Sequence, residues 1–187
     1  MADSTGVSYV TQQFGKIQAF VTAGGKVYNS CTCALWTEGT FPPYIEYYGS
    51  DSPVVFDIGR ISNFDYSTTG EVLDQGLADW LEVVTTENVN AFPFDFGYVK
   101  IDATIPTDDG NGLEEDDYWV VPYTWVMDNQ AYPNSPLMVT YNYQGGKVFY
   151  TVYETSGMQA GITPQEYALL YVILEVGISL NPPPPPT

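Results

Sequence analysis

The chain has 187 residues, enough for one domain with a sizeable core, and 44% of them are hydrophobic, a folding composition rather than a disordered one. Five Lys and Arg against 23 Asp and Glu give a formal net charge of −18, which excludes phosphate backbones and anionic membranes as natural partners. There is no histidine, so neither a Cys-His nor a Ser-His hydrolase is expected.

The elements can be read in chain order. Residues 8–23 carry Val10, Phe14, Ile17 and Val21 at helical spacing, and Gly24-Gly25 supplies a stop. Lys26 to Ser30 predicts a short strand, and Cys31-Thr32-Cys33-Ala34-Leu35-Trp36 a helix start. One intervening residue makes a disulfide between Cys31 and Cys33 geometrically poor. With no Cys-x2-Cys pair and no histidine, a structural zinc site is not expected. The proline-led stretch from Phe41 to Tyr48 predicts loop or extended chain, and residues 53–70 strand and loop. Asp74 to Val83 predicts a short helix with Leu77, Trp80 and Leu81 on one face.

Residues 89–105 alternate and are aromatic, which predicts strands interrupted at Pro93 and Gly97. An acidic loop spans 106–117. Trp119 to Met127 predicts an edge-like strand because of Pro122. Leu137–Tyr143 and Lys147–Tyr153 predict a hairpin turning at Gln144-Gly145-Gly146. Thr163-Pro164-Gln165-Glu166 is a capping box with proline at the first helical position. The helix it opens should run to about residue 178 and bury Tyr167, Leu170, Tyr171, Leu174 and Ile178. Five prolines at 182–186 predict a stiff polyproline II segment, a linker or tail over 181–187 after a single domain at 1–180.

Two stretches, Ala19-Phe20-Val21-Thr22-Ala23-Gly24-Gly25-Lys26-Val27-Tyr28-Asn29-Ser30-Cys31 and Pro136-Leu137-Met138-Val139-Thr140-Tyr141 with Gly145-Gly146-Lys147-Val148-Phe149-Tyr150-Thr151-Val152-Tyr153-Glu154, together resemble the class I glutamine-amidotransferase-like superfamily. The nearest branch is the ThuA-like and surface-protein members that have lost glutaminase chemistry. The resemblance implies an α/β domain: a mostly parallel, flavodoxin-like sheet flanked by helices, with an antiparallel hairpin near the C-terminus. It also implies that Cys31 stands at the nucleophile position and Glu154 where the family has its histidine. The family's opening strands have no counterpart in residues 1–13.

The candidate chemistry follows. A thiol at a strand-to-helix turn is activated by backbone N–H groups, but a neighbouring carboxylate raises its pKa. Cys31 and Glu154 are therefore weak catalytic candidates, with Asp95 or Asp102 as second carboxylates in a hydrolase. Calcium is the one cofactor considered, at the acidic run Asp108, Asp109, Asn111, Glu114, Glu115, Asp116 and Asp117, where oxygen ligands crowd one loop. Tyr47, Tyr48, Trp119 and Trp125 are candidates for an aromatic surface that binds a glycan or a protein. No Walker A or GxGxxG pattern supports a nucleotide, and no apolar run approaches the ~20 residues of a membrane span.

The expectation is a non-catalytic interaction or structural module on a longer surface or secreted protein, joined through the prolines. The alternatives are a self-assembling virion or filament subunit, which would be a homo-oligomer made in the cytoplasm, and a thiol- or carboxylate-dependent hydrolase using Cys31 and Glu154. Residues 1–5 lack the charged and apolar regions of a signal peptide, so either the protein is not exported by that route or the chain is an excised piece.

Overall fold

The first glycine pair of the chain and the second are packed against each other, and this contact organises one end of the sheet. The computed structural model describes residues 4–41, 43–49, 66–97, 99–108, 119–154 and 162–178. Helix α1 (Ser4–Thr22) stops at Gly24-Gly25, where the Gly24 and Gly25 amides bond back to the carbonyls of Val21 and Phe20 at 2.9 Å each. Gly24 has φ +96°, a conformation that glycine adopts without strain. Strand β1 (Lys26–Ser30) follows at once. A Cβ on Gly146, in the distant hairpin, would overlap the carbonyl oxygens of Val21 and Gly25. Both turns need glycine because their backbones touch.

After β1 come a 3-10 turn (Cys31–Cys33), helix α2 (Ala34–Thr40) and strand β2 (Ile45–Tyr47). Strand β3 (Tyr66–Val72) leads to helix α3 (Gln75–Val84). Asp74 caps α3 by accepting a hydrogen bond from the Leu77 amide at 2.7 Å. Strands β4 (Phe92–Gly97), β5 (Ile101–Thr104), β6 (Thr107–Asp108), β7 (Trp119–Val120), β8 (Tyr123–Asp128), β9 (Pro136–Tyr143) and β10 (Gly146–Thr151) precede helix α4 (Pro164–Ile178). At the start of α4 the Glu166 carboxylate accepts from the Thr163 amide at 2.6 Å, the reciprocal bond of a capping box. At its end Lys26 Nζ donates to the Gly177 carbonyl at 2.9 Å, a cation on the negative end of the helix.

The expected mostly parallel, flavodoxin-like sheet does not form. The main sheet is mixed, with six strands in the order β1-β10-β9-β8-β3-β4, and only β1 and β10 run parallel. Connection length explains this. Parallel neighbours need a crossover of a dozen or more residues, whereas two residues can join an antiparallel pair. Gln144 and Gly145 alone separate β9 from β10, and residues 129–135 separate β8 from β9. The sheet curls into a half-barrel, so that Gly97 at the end of β4 bridges Tyr153 just beyond β10. Two small antiparallel pairs, β2 with β5 and β6 with β7, lie beside it.

Three further expectations change. Pro122 falls between β7 and β8, so β8 is not an edge but lies between β9 and β3. Pro93 does not interrupt β4; it is tolerated there because β4 is the edge, paired only with β3 in this sheet. In α4 the buried residues are Gln165, Ala168, Leu169, Val172 and Val176, while Leu170 and Leu174 face outward. That helix is apolar nearly all round, so spacing could not select its inner face. The core is unusually aromatic: Phe41 and Tyr44 pack on Tyr141 and Tyr143, and Phe94 on Tyr153.

Candidate functional site

β1 and β10 end in register, with Ser30 opposite Thr151, and the chain beyond each end forms the site. Crevices outside the carboxyl ends of parallel strands are a common place for ligands in open sheets. Cys31 follows β1 directly and has φ +50°, left-handed backbone that a side chain other than glycine rarely adopts. The fold holds it there through its carbonyl, which accepts a buried hydrogen bond from Tyr150 Oη at 2.6 Å. The following 3-10 turn runs straight into α2, so the local path is strand, sharp turn, helix.

Glu154 reaches the same place from the β10 side. Its carboxylate is close enough to act on the ionisation of the Cys31 thiol. Cys31 is only 1% exposed. Burial pushes its thiol from the ordinary 9.0 up to about 12, the Glu154 carboxylate pushes the same way as acceptor and as charge, Cys33 adds to them, and the Thr32 amide opposes. All four upward causes favour S–H over thiolate. Gln165, buried at the start of α4, locks the segment. Its Nε2 donates to the Glu154 carbonyl at 2.6 Å, and its Oε1 accepts from the Asp95 amide at 2.7 Å.

Tyrosines surround this pair. Tyr28 stacks on Phe149 with centroids 5.0 Å apart, and its hydroxyl lies 3.1 Å from Thr151 Oγ1. Tyr150 meets Tyr47 edge-on at 5.2 Å. Tyr153 is buried, and its hydroxyl has no hydrogen-bond partner among the described residues. Burial raises the pKa of all four phenols, so they stay neutral donors at ordinary pH.

The sequence candidates divide accordingly. Cys31 and Glu154 come together. Asp95 joins them only through its backbone; its side chain is exposed. Asp102 pairs instead with Lys100 at the surface. The acidic run lies outside the described residues from Asp109 through Asn111, Glu114, Glu115, Asp116 and Asp117; Asp108 ends β6, but its side chain is not among those described. Among the described residues no group of three or more Cys, Asp or Glu could hold a metal ion.

The aromatic surface does not assemble as expected. Tyr47 is 1% exposed, because β2 turns it inward onto Tyr150, so it cannot belong to a binding face. Tyr48 is half exposed with Lys100 Nζ 5.3 Å from its ring centroid. Trp125 is half-buried, donates to Thr140 Oγ1 at 2.9 Å and packs against Tyr123 and Tyr171. Trp119 stands in β7, and its side chain lies outside the description. Tyr150 and Gln165 were missed by the sequence reading. No local pattern marks them, since their partners lie 119 and 70 residues away.

No family model matches the chain, and no curated protein matches it in sequence. Among solved structures it is similar to "Cytoplasmic Protein STM3548 from Salmonella typhimurium", with 14% identity over 87% of this chain and a TM-score of 0.41. The chain spans 58% of that structure's length. A likeness this slight carries no argument about fold or function.

Proposed function

We propose that the domain is a non-catalytic interaction or structural module. One observation carries this reading: the thiol at the strand-to-helix turn is buried, and burial together with the nearby Glu154 carboxylate favours its protonated form. A thiol nucleophile needs a base that can take its proton and leave a reactive thiolate. The charge of the Glu154 carboxylate opposes the thiolate, and burial pushes the thiol up to about 12, so the pair holds the proton on sulfur. The pair is suited instead to fixing the ends of β1 and β10 relative to α2 and α4. Incubating the protein with activated esters and with glutamine tests the reading. No turnover above the rate of Cys31→Ala is expected, and hydrolysis abolished by that substitution refutes it.

A second reading, self-assembly, draws on the edge of the sheet. Among the described residues β1 is paired only with β10, which leaves one side of its ladder for a neighbour's strand. Light scattering during size-exclusion chromatography separates the readings: a monomer refutes assembly. Among the described residues no helix is long and apolar enough to cross a membrane.

A further inference from the structure

The outer side of α4 is as apolar as its inner side. Leu170, Ile173 and Leu174 are 39%, 42% and 45% exposed. Together with Gly177 they follow helical spacing of three, four and seven, so they form one stripe that runs to the end of the helix. The half-buried rings of Tyr167 and Tyr171 flank the stripe on one side. A helix that is hydrophobic all round is normally covered on all sides.

The sequence supplies a cover of matching chemistry next to this stripe. Beyond Ile178 stand Ser179, Leu180 and Asn181, then five prolines and Thr187, with no charge among them. We propose that Pro182–Pro186 folds back on its own chain and lies along the Leu170–Ile173–Leu174 stripe as a polyproline II helix. Lengths agree. The stripe from Leu170 to Gly177 is about 10 Å long at 1.5 Å per residue, and five polyproline II residues span about 15 Å. The Asn181-Pro182 step is a turn-forming dipeptide and stands where the chain must reverse. Polyproline II is stiff before binding and docks on aromatic-lined apolar surfaces at low entropic cost. Here Leu170, Ile173 and Leu174 make the floor and Tyr167 and Tyr171 one wall.

The same chain is favoured over a second copy on two grounds. A net charge of −18 makes two copies repel, whereas Ser179 to Pro186 carry no charged side chain to be repelled by Glu166 and Glu175 on α4. A tether of a few residues also holds the prolines near the stripe at an effective concentration in the millimolar range.

Methyl-labelled full-length protein tests this by NMR. The expected result is cross-peaks between proline ring protons and the methyls of Leu170, Ile173 and Leu174, unchanged on tenfold dilution. Replacing residues 182–186 by serine should remove them, shift those methyls, and speed amide exchange in the last turn of α4 several-fold. The variant leaves the core untouched, and a circular-dichroism melt verifies that it folds. Leu174→Ser, at a half-exposed position, should weaken the same cross-peaks. Methyl shifts identical in the two tails overturn the proposal. Shifts that change with protein concentration overturn it in favour of a second copy.

Discussion

Iodoacetamide attacks thiolate, so its rate at Cys31 reports how much of that thiol is ionised. With the pKa moved from 9.0 up to about 12, the ionised fraction at pH 8 falls from about one in ten to about one in ten thousand. Alkylation should therefore be on the order of a thousandfold slower than for an exposed ordinary thiol, before any slowing by burial. Burial and ionisation can be told apart by pH. An occluded thiol with an ordinary pKa levels off near pH 9, whereas Cys31 should keep gaining about tenfold per unit between pH 7 and 10. Mass spectrometry of the Cys31 peptide follows the rate, with glutathione in the same tube as reference. Glu154→Gln removes the second and third upward causes, so it should speed alkylation at fixed pH while burial keeps the rate below that of glutathione. A rate that levels off by about pH 9 to 10, or a Glu154→Gln protein that reacts more slowly, would refute the account of the site.

Four other perturbations have defined outcomes. The buried phenols of Tyr47, Tyr141, Tyr150 and Tyr153 all have pKa values raised by burial above the ordinary 10.0. The folded state thus holds protons that the unfolded chain releases, so the stability they contribute is intact below pH 10 and is lost as pH rises above it. Urea midpoints should fall between pH 9 and 11, and a flat profile contradicts this. Tyr150→Phe leaves the Cys31 carbonyl without its donor and should cost about 1–3 kcal/mol in urea unfolding. Gln165→Leu strands the Asp95 amide and the Glu154 carbonyl together, and should cost about 2–4 kcal/mol by the same assay. Asp74→Ala removes the α3 cap and should cost about 1 kcal/mol, with no effect on Cys31 alkylation.

What the sequence made legible was local. Thr163 and Glu166 sit three residues apart and close on each other whatever the rest of the chain does, so the start of α4 could be read directly. Asp74 and the Gly24-Gly25 stop are similar cases. Strand direction was not legible, because it is set by which distant segments pair. In the main sheet β1 alone joins its neighbour in parallel, with Lys26 opposite Lys147, far along the chain. Tyr47 shows the same limit at the level of one side chain. Tyr47 and Tyr48 are neighbours in a stretch that reads as loop or extended chain, and only the tertiary position of β2 decides that Tyr47 is inside while Tyr48 is exposed. Cys31 and Glu154 were candidates only through a resemblance whose mostly parallel sheet the structure does not have. Tyr150 and Gln165, which hold them in place, carried no signature that a linear reading could detect.

The site's geometry and its chemistry point in opposite directions, and the difference lies in one group. A left-handed residue between strand and helix, clamped through its carbonyl, is a stored strain of about 1–3 kcal/mol that a fold sustains only with compensation. Such strain often serves to present a side chain for reaction. Here the same turn delivers the thiol to Glu154. An imidazolium at that position would stabilise a thiolate by its charge; a carboxylate destabilises it by the same physics with the sign reversed. The two bonds of Gln165 tie the Glu154 backbone to β4 and α4, and the Tyr150 hydroxyl holds the Cys31 carbonyl. The backbone is thus fixed on both sides of a thiol whose ionisation is disfavoured first by burial and then by Glu154.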